Sequence, residues 1–168
     1  MRVLLIAVAA LSTGCAAAAS PRPFPSHGPP APARTASVGT TGSGMVATGY
    51  EVSGTALDLR GAPYRNGGTD PTGFDCSGFV WYVFGQHGLA VPRTVQDQFR
   101  AGETVEPAEL RPGDLVFFST TSPGASHVGI VIGGDSFVHA PSSTGVVRVE
   151  RLGAPYWASR FVGARRVL

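Results

Sequence analysis

Residues 74–84 read "FDCSGFVWYVF". Cys76, Phe79, Val80, Val83 and Phe84 recur at i, i+3, i+4, i+7 and i+8, which places them on one face of an α-helix. Gly88 supplies a left-handed stop just beyond that run, and the turn-rich "RNGGTDPTG" at 65–73 precedes it. A cysteine therefore opens an apolar helix at the end of a loop. Unpaired N–H groups in a first turn favour a thiolate, but an ionised Asp75 next to the sulfur opposes it. The helix dipole alone is weak activation, so a nucleophilic Cys76 needs a base, preferably a histidine.

Working outward, "EVSGTALDLRGAPY" from 51 predicts a short helix that stops before Pro63, and "TVQDQFRAG" at 94–102 predicts another, capped by Thr94. The remainder turns to strand-like runs: "DLVFFS", "HVGIVIG", "SFVHA", "GVVRVERL" and "RFVGARRVL". Helices first and an antiparallel sheet afterwards predict an α+β domain over residues 51–168.

Three histidines fall in that domain. His87 sits beside Gly88 at a helix end, where an imidazole complements the dipole. His127 opens "HVGIVIG" and His139 lies in "SFVHA", just past "GGDS". Side-chain parity decides whether these two can cooperate. A two-residue loop at Gly133 and Gly134 puts them on opposite faces. A three-residue loop sets 129 opposite 139 and leaves both histidines on one face, with Gly129 between them leaving room for a ring. A catalytic pair thus requires an odd loop, and in that arrangement one polar side chain can orient the other. Cys76, His127 and His139 could alternatively be separate structural residues, or ligands of a zinc ion, although they lack the close ligand pairs of common zinc motifs. No cofactor is expected, and no GxSxG, HExxH or P-loop pattern offers rival machinery.

The chain has 168 residues, enough for one domain with a real core, and a net charge of +2, too small for a nucleic-acid footprint. Its opening, "MRVLLIAVAALSTGC", carries one arginine, an apolar run and small residues, the layout of a secretory signal over residues 1–14. "LSTGC" is similar to the lipobox of bacterial lipoproteins, with Leu11 one place early and Ser12 where an aliphatic residue is usual. On that resemblance Cys15 carries lipid and anchors the chain to a membrane, leaving Cys76 without a disulfide partner. Cleavage within "AAAAS" is the alternative. Residues 15–50, rich in proline and then glycine, predict a tether spanning on the order of 30 Å. His27 lies within it as a solvated residue.

"GAPYRNGG", "FDCSGFV", "VPRTVQDQ", "RPGDLVFF", "HVGIVIG" and "FVHAP" together resemble, in order, the NlpC family of papain-like bacterial cell-wall peptidases. The ending "YWASRFVGARRV" is similar to the short lipoproteins of that family. The resemblance implies a papain-like α+β fold with Cys76 as nucleophile, His127 as base and then acid, and His139 as the residue that orients it. It implies that Tyr64 helps polarise the scissile carbonyl, and that Asp75 and Ser77 contact the substrate, with a helix cap as the alternative for these two. It further implies that the substrates are peptidoglycan stem peptides or their cross-links, and it leaves open a non-catalytic wall-binding protein or an acyltransferase on the same fold. A monomer is the default expectation.

Overall fold

The computed structural model describes residues 43–168, with side chains from Thr48 onward. The leader at 1–14, Cys15, His27 and the tether up to residue 42 lie outside the described residues. Among the described residues no helix is long and apolar enough to cross a membrane.

The first helix, α1, runs Ser43–Asp58 and so begins eight residues before the expected domain boundary at 51. The stretch before Glu51 reads as tether because its glycines and threonine show no apolar period. One reason the helix tolerates them is packing: Gly49 is buried, and a Cβ there would collide with the Pro112 carbonyl. Further along, Val52 and Ala56 enter the core, and Ser53 Oγ lies 2.9 Å from both Gly49 O and Val131 O, tying helix to sheet.

The turn-rich loop holds a minimal hairpin, β1 (Thr69–Asp70) and β2 (Gly73–Phe74), which delivers the chain to α2, Cys76–Gln86. This helix is the one expected from the spacing. Phe79, Val80, Val83 and Phe84 are fully buried, each contributing about 1.5–3 kcal/mol of hydrophobic stabilisation. His87 is its C-cap, and Gly88 follows at φ +70°. The His87 Nε2 sits 2.8 Å from Thr55 Oγ1, so this histidine links α2 to α1. The next helix, α3 (Val95–Arg100), starts at Thr94, whose hydroxyl accepts the Asp97 N–H.

Six strands follow: β3 (Glu103–Val105), β4 (Leu115–Phe118), β5 (His127–Gly133), β6 (Ser136–His139), β7 (Arg148–Arg151) and β8 (Phe161–Arg166). They form one sheet in the order β3-β8-β4-β5-β6-β7, with every pairing antiparallel. β3 and the single-turn helix α4 (Pro155–Ala158) were not foreseen, being too short to show a period. Both faces of the sheet are covered. On β4, Leu115 and Phe117 join the core under α1 and α2, while Val116 and Phe118 join a second core with Phe137, Trp157 and Ala164. That two-sided burial explains why "LVFF" reads as a continuous apolar run instead of an alternation.

Asp114 locks the start of β4 to the last strand. One carboxylate oxygen accepts the Arg111 N–H at 2.8 Å, and Arg166 donates to both oxygens at 2.8 and 2.7 Å. The acid is almost wholly buried, whereas the arginine keeps part of its surface in water. Replacing Asp114 with Ala should cost about 3 kcal/mol, the lower end of the range for breaking a buried pair, because Arg166 keeps access to water. A lowered urea midpoint with an unchanged m-value would register it.

Candidate active site

The β5–β6 hairpin meets the parity requirement by a route other than the three-residue loop expected. Ile130 pairs with Val138 and Val131 with Phe137, but Gly133 pairs with Ser136, so the register shifts by one between Val131 and Gly133. A β-bulge on β5 supplies the odd residue and leaves only Gly134 and Asp135 in the loop. The register therefore sets 129 opposite 139, as the odd loop requires. A Cβ on Gly129 would lie 2.5 Å from the Phe137 ring and 3.2 Å from the His139 Cβ, so only glycine fits under the second histidine.

His127 Nε2 and His139 Nδ1 are 2.7 Å apart, with their rings nearly perpendicular. Both side chains are buried. Trp157, presented by α4, stacks on His127 at 5.7 Å between centroids and meets His139 edge-on at 4.9 Å. The sequence reading gave this tryptophan no role, because nothing local marks a four-residue helix 18 positions beyond His139 as part of the site. For His127 Nδ1 to act as a base, its own proton must sit on Nε2 and be donated to His139 Nδ1. The His139 proton is then on Nε2, a buried atom with no hydrogen-bond partner among the described residues.

Burial pushes the His127 pKa down to about 4. Burial, followed by the charges of His127 and Arg148, pushes that of His139 down to about 2. Both rings are therefore neutral at pH 7.

Cys76 begins α2, the helix packed against β5. Its thiol keeps some solvent contact, yet burial followed by the Asp75 charge raises its pKa to about 11, against the backbone N–H groups of Ser77, Val128 and Cys76 itself. The Val128 N–H immediately follows His127 in the chain, which brings the Cys76 thiol to the start of the strand that carries His127. Thiol and imidazole are thus both neutral at rest. Nucleophilic use of such a thiol requires a base that accepts its proton as attack proceeds.

Tyr64 is held nearby by its N–H bond to Gly145 O at 2.7 Å and by a parallel bridge to Phe74. Its hydroxyl is raised by burial and then by the Cys76 and Asp75 charges, a sign that it shares the field of the thiol.

Asp75 and Ser77 have partners within the fold. Asp75 is the N-cap of α2, its Oδ1 accepting the Gly78 N–H at 2.6 Å. Arg93 donates to Oδ1 and Oδ2 of Asp75 at 3.0 and 2.6 Å and to Ser77 Oγ at 2.8 Å. Burial raises the Asp75 carboxyl, but the Arg93 hydrogen bonds, the Gly78 N–H and the Arg93 charge outweigh it and hold it below the ordinary carboxylate range. Gln98, fully buried, donates from Nε2 to Ser77 O and Pro92 O at 3.0 and 2.8 Å. Arg93 and Gln98 thereby brace the first turn of α2. Both lie in "VPRTVQDQ", a motif whose chemistry was not legible without the fold. Among the described residues no group of three or more His, Cys, Asp or Glu side chains is placed to hold a metal.

A family model described as NlpC/P60 matches residues 61–166. The chain belongs to the NlpC/P60 family. Tyr64, Asp75, Cys76, Ser77, Arg93, His127 and His139 all lie within that span. The chain is 47% identical over 112 residues to a protein of Escherichia coli named murein DD-endopeptidase MepS/murein LD-carboxypeptidase, covering 66% of this chain and 58% of that one. It is 45% identical over 116 residues to the gamma-DL-glutamyl hydrolase of Bacillus subtilis, covering 67% of this chain and 28% of that one. An NlpC/P60 protein of Bacillus cereus superposes with a TM-score of 0.67 at 34% identity, over 71% of this chain and 40% of that one. These solved NlpC/P60 domains agree with the papain-like α+β fold expected from the sequence.

Two measurements follow from the electrostatics. At pH 8 a thiol with a pKa near 11 should alkylate with iodoacetamide roughly a hundredfold more slowly than a free cysteine, with the rate still rising above pH 9. Arg93→Gln, which leaves Asp75 uncompensated, should move that profile further to the alkaline side, and Arg93→Lys should restore part of it. Stability should respond to acid. The unfolded histidines take up protons below about 6.5, whereas the folded rings resist until far lower pH. The unfolded state then binds more protons, and stability falls as pH drops from 6.5 towards 4. Urea midpoints across that range, flatter in His139→Gln, would register the effect.

Proposed function

We propose that this chain is a murein endopeptidase that cleaves amide bonds of peptidoglycan stem peptides or their cross-links by thiol catalysis. The observation that carries this reading is the hydrogen bond between His127 and His139, set beside the strand position whose N–H faces the Cys76 thiol. In the proposed cycle Sγ attacks the scissile carbonyl carbon while His127 Nδ1 takes its proton. Tyr64 polarises the carbonyl oxygen, helped by N–H groups at the start of α2. His127 then gives the proton to the departing nitrogen, the C–N bond breaks, and water, activated by the same imidazole, hydrolyses the thioester. His139 orients the base and never titrates near neutral pH.

The cross-link between D-Ala and diaminopimelate is the favoured bond, in keeping with the name of the Escherichia coli relative. The D-γ-glutamyl to diaminopimelate bond is the second reading, motivated by the name of the Bacillus subtilis hydrolase. In the same proposal the protein is exported as a monomer, with residues 1–14 as leader and Cys15 as the lipid anchor. The 51–168 catalytic domain, extended back to Ser43 by its first helix, then acts on the meshwork beside a membrane, where anchoring raises its local concentration.

Mass spectrometry of cross-linked muropeptide dimers and monomers, incubated with the full chain or its Cys76→Ala variant, tests the proposal. Monomers arising from dimers only with the intact thiol support the cross-link reading, and shortened stems support the γ-glutamyl bond. Absence of any thiol-dependent product overturns the hydrolase. Loss of His127 should lower kcat/KM by a factor on the order of a hundred to ten thousand. Loss of His139 should cost less, because the base survives but is no longer oriented.

A further inference from the structure

The aromatic cover of the two histidines is carried by a very short piece of helix. Trp157 is buried, stacks on His127 with 24° between the ring planes, and meets Phe118 and Phe137 edge-on at 4.8 and 5.3 Å. Its helix, α4, has four residues and no side-chain cap at its start. A single turn has little stability of its own, so its place over the histidines depends on how the chain enters and leaves it. The exit is tied to the sheet: just beyond β4, Ser119 donates its N–H to the Arg160 carbonyl at 2.8 Å.

The entry is tied by one residue. Asp135 lies in the two-residue loop of the β5–β6 hairpin, directly after the bulge. Its carbonyl accepts the Leu152 N–H at 2.9 Å, its Oδ1 accepts the Gly153 N–H at 2.9 Å, and Arg151 Nε donates to its Oδ2 at 3.2 Å. The Ala154 N–H closes back on Arg151 O at 3.1 Å, so residues 151–154 form one turn that Asp135 grips shortly before Trp157. The approach is close, because a Cβ on Gly153 would stand 3.1 Å from Asp135 Oδ2. These bonds differ in weight. Arg151 keeps 75% of its side-chain surface exposed, where an ion pair contributes little, whereas the bond to Gly153 is charge-assisted and fixes backbone. A cleft of about 330 Å³ has Gly134, Asp135, Leu152 and Ala158 among its walls, so α4 lacks solid packing on that side.

We propose that Asp135 is a positioning residue of the active site: by holding the turn at 151–154 it keeps Trp157 seated on the His127–His139 pair and so fixes the orientation of the base. This inference deepens the peptidase reading and rests on it for its kinetic consequence. The loop that follows the bulge thereby serves the site twice, since the bulge brings the two histidines to one face and the loop secures what covers them. The stacked indole is a flat apolar wall that resists tilting of the imidazole and shields the 2.7 Å bond between the rings from water. An imidazole that tilts still accepts a proton, but from fewer of its orientations. Loss of the grip therefore lowers kcat and leaves substrate binding largely alone.

The test compares the full wild-type chain with Asp135→Ala, Asp135→Asn and Arg151→Gln. Asparagine keeps an oxygen for the Gly153 N–H, and alanine does not. On cross-linked muropeptide dimers Asp135→Ala should lower kcat by on the order of tenfold with KM little changed, Asp135→Asn should recover most of that loss, and Arg151→Gln should stay near wild type. The second readout needs no turnover. Nuclear Overhauser contacts between the Trp157 and His127 rings, with ring-current displacement of the His127 and His139 ring protons, should persist in Asp135→Asn and weaken in Asp135→Ala. Urea midpoints record global stability separately. A lowered midpoint in Asp135→Ala with unchanged ring contacts would make Asp135 an ordinary turn residue and overturn the inference. Altered ring contacts with an unchanged kcat would overturn it too. If wild type cuts no dimer, the hydrolytic reading fails by itself, and the ring contacts alone decide whether Asp135 seats Trp157. Should Asp135→Ala not fold, Gly153→Ala, whose methyl crowds the same carboxylate, carries the comparison with changes expected in the same direction.

Discussion

The bulge in β5 is the constraint on which the site depends. Strand side chains alternate strictly, so a regular two-residue hairpin would send His127 and His139 to opposite faces of the sheet. One additional residue restores the match, and the 2.7 Å contact between the two rings follows. Everything stacked around that contact inherits its position: Gly129 leaves room beneath the second ring, Phe137 and Trp157 enclose the pair, and β4 and β6 hold the strand on either side. The dyad is thus carried by the middle of a sheet covered on both faces and not by a mobile loop.

The Cys76 thiol is supported differently. Its helix starts at a loop, and a loop by itself would leave the first turn free to fray. The cap from Asp75, the clamp of Arg93 on Asp75 and Ser77, and the grip of Gln98 on the Ser77 carbonyl hold both side chains and backbone of that turn. Arg93 serves a second purpose. Asp75 caps the helix well but disfavours a thiolate beside it, and the guanidinium offsets the charge without displacing the cap. The expected substrate-binding role of Asp75 and Ser77 has to be weighed against these partners, which already occupy both carboxylate oxygens and the serine hydroxyl.

Much of this was readable from the amino acids, for identifiable reasons. The α2 face, the Gly88 stop and the Thr94 cap are local features, expressed within one or two turns of chain. The five strand-like runs were legible because β-branched and aromatic residues cluster between turn signals. Parity of the histidines was also legible as a condition, although not the bulge that satisfies it, since a bulge is a property of pairing between two strands. Trp157, Gln98 and Arg93 escaped assignment because their importance lies in what they touch across 16 or more residues of chain. The start of α1 is not legible in its composition, because the close approach of Gly49 to the Pro112 carbonyl is a long-range contact.

The protonated resting state of Cys76 has a consequence for the working life of the protein. Peroxides and small disulfides attack sulfur as the thiolate, so a thiol held near a pKa of about 11 presents them with very little reactive form at neutral pH. A strongly activated cysteine would be a faster nucleophile and a shorter-lived one in an oxidising medium. Among the described residues Cys76 is the only cysteine, so none of these offers a second thiol to reverse its oxidation through a disulfide. By withholding charge from the sulfur, the fold keeps the thiol in its less reactive form at rest. Resistance to oxidation is then set by the same burial that raises the thiol pKa.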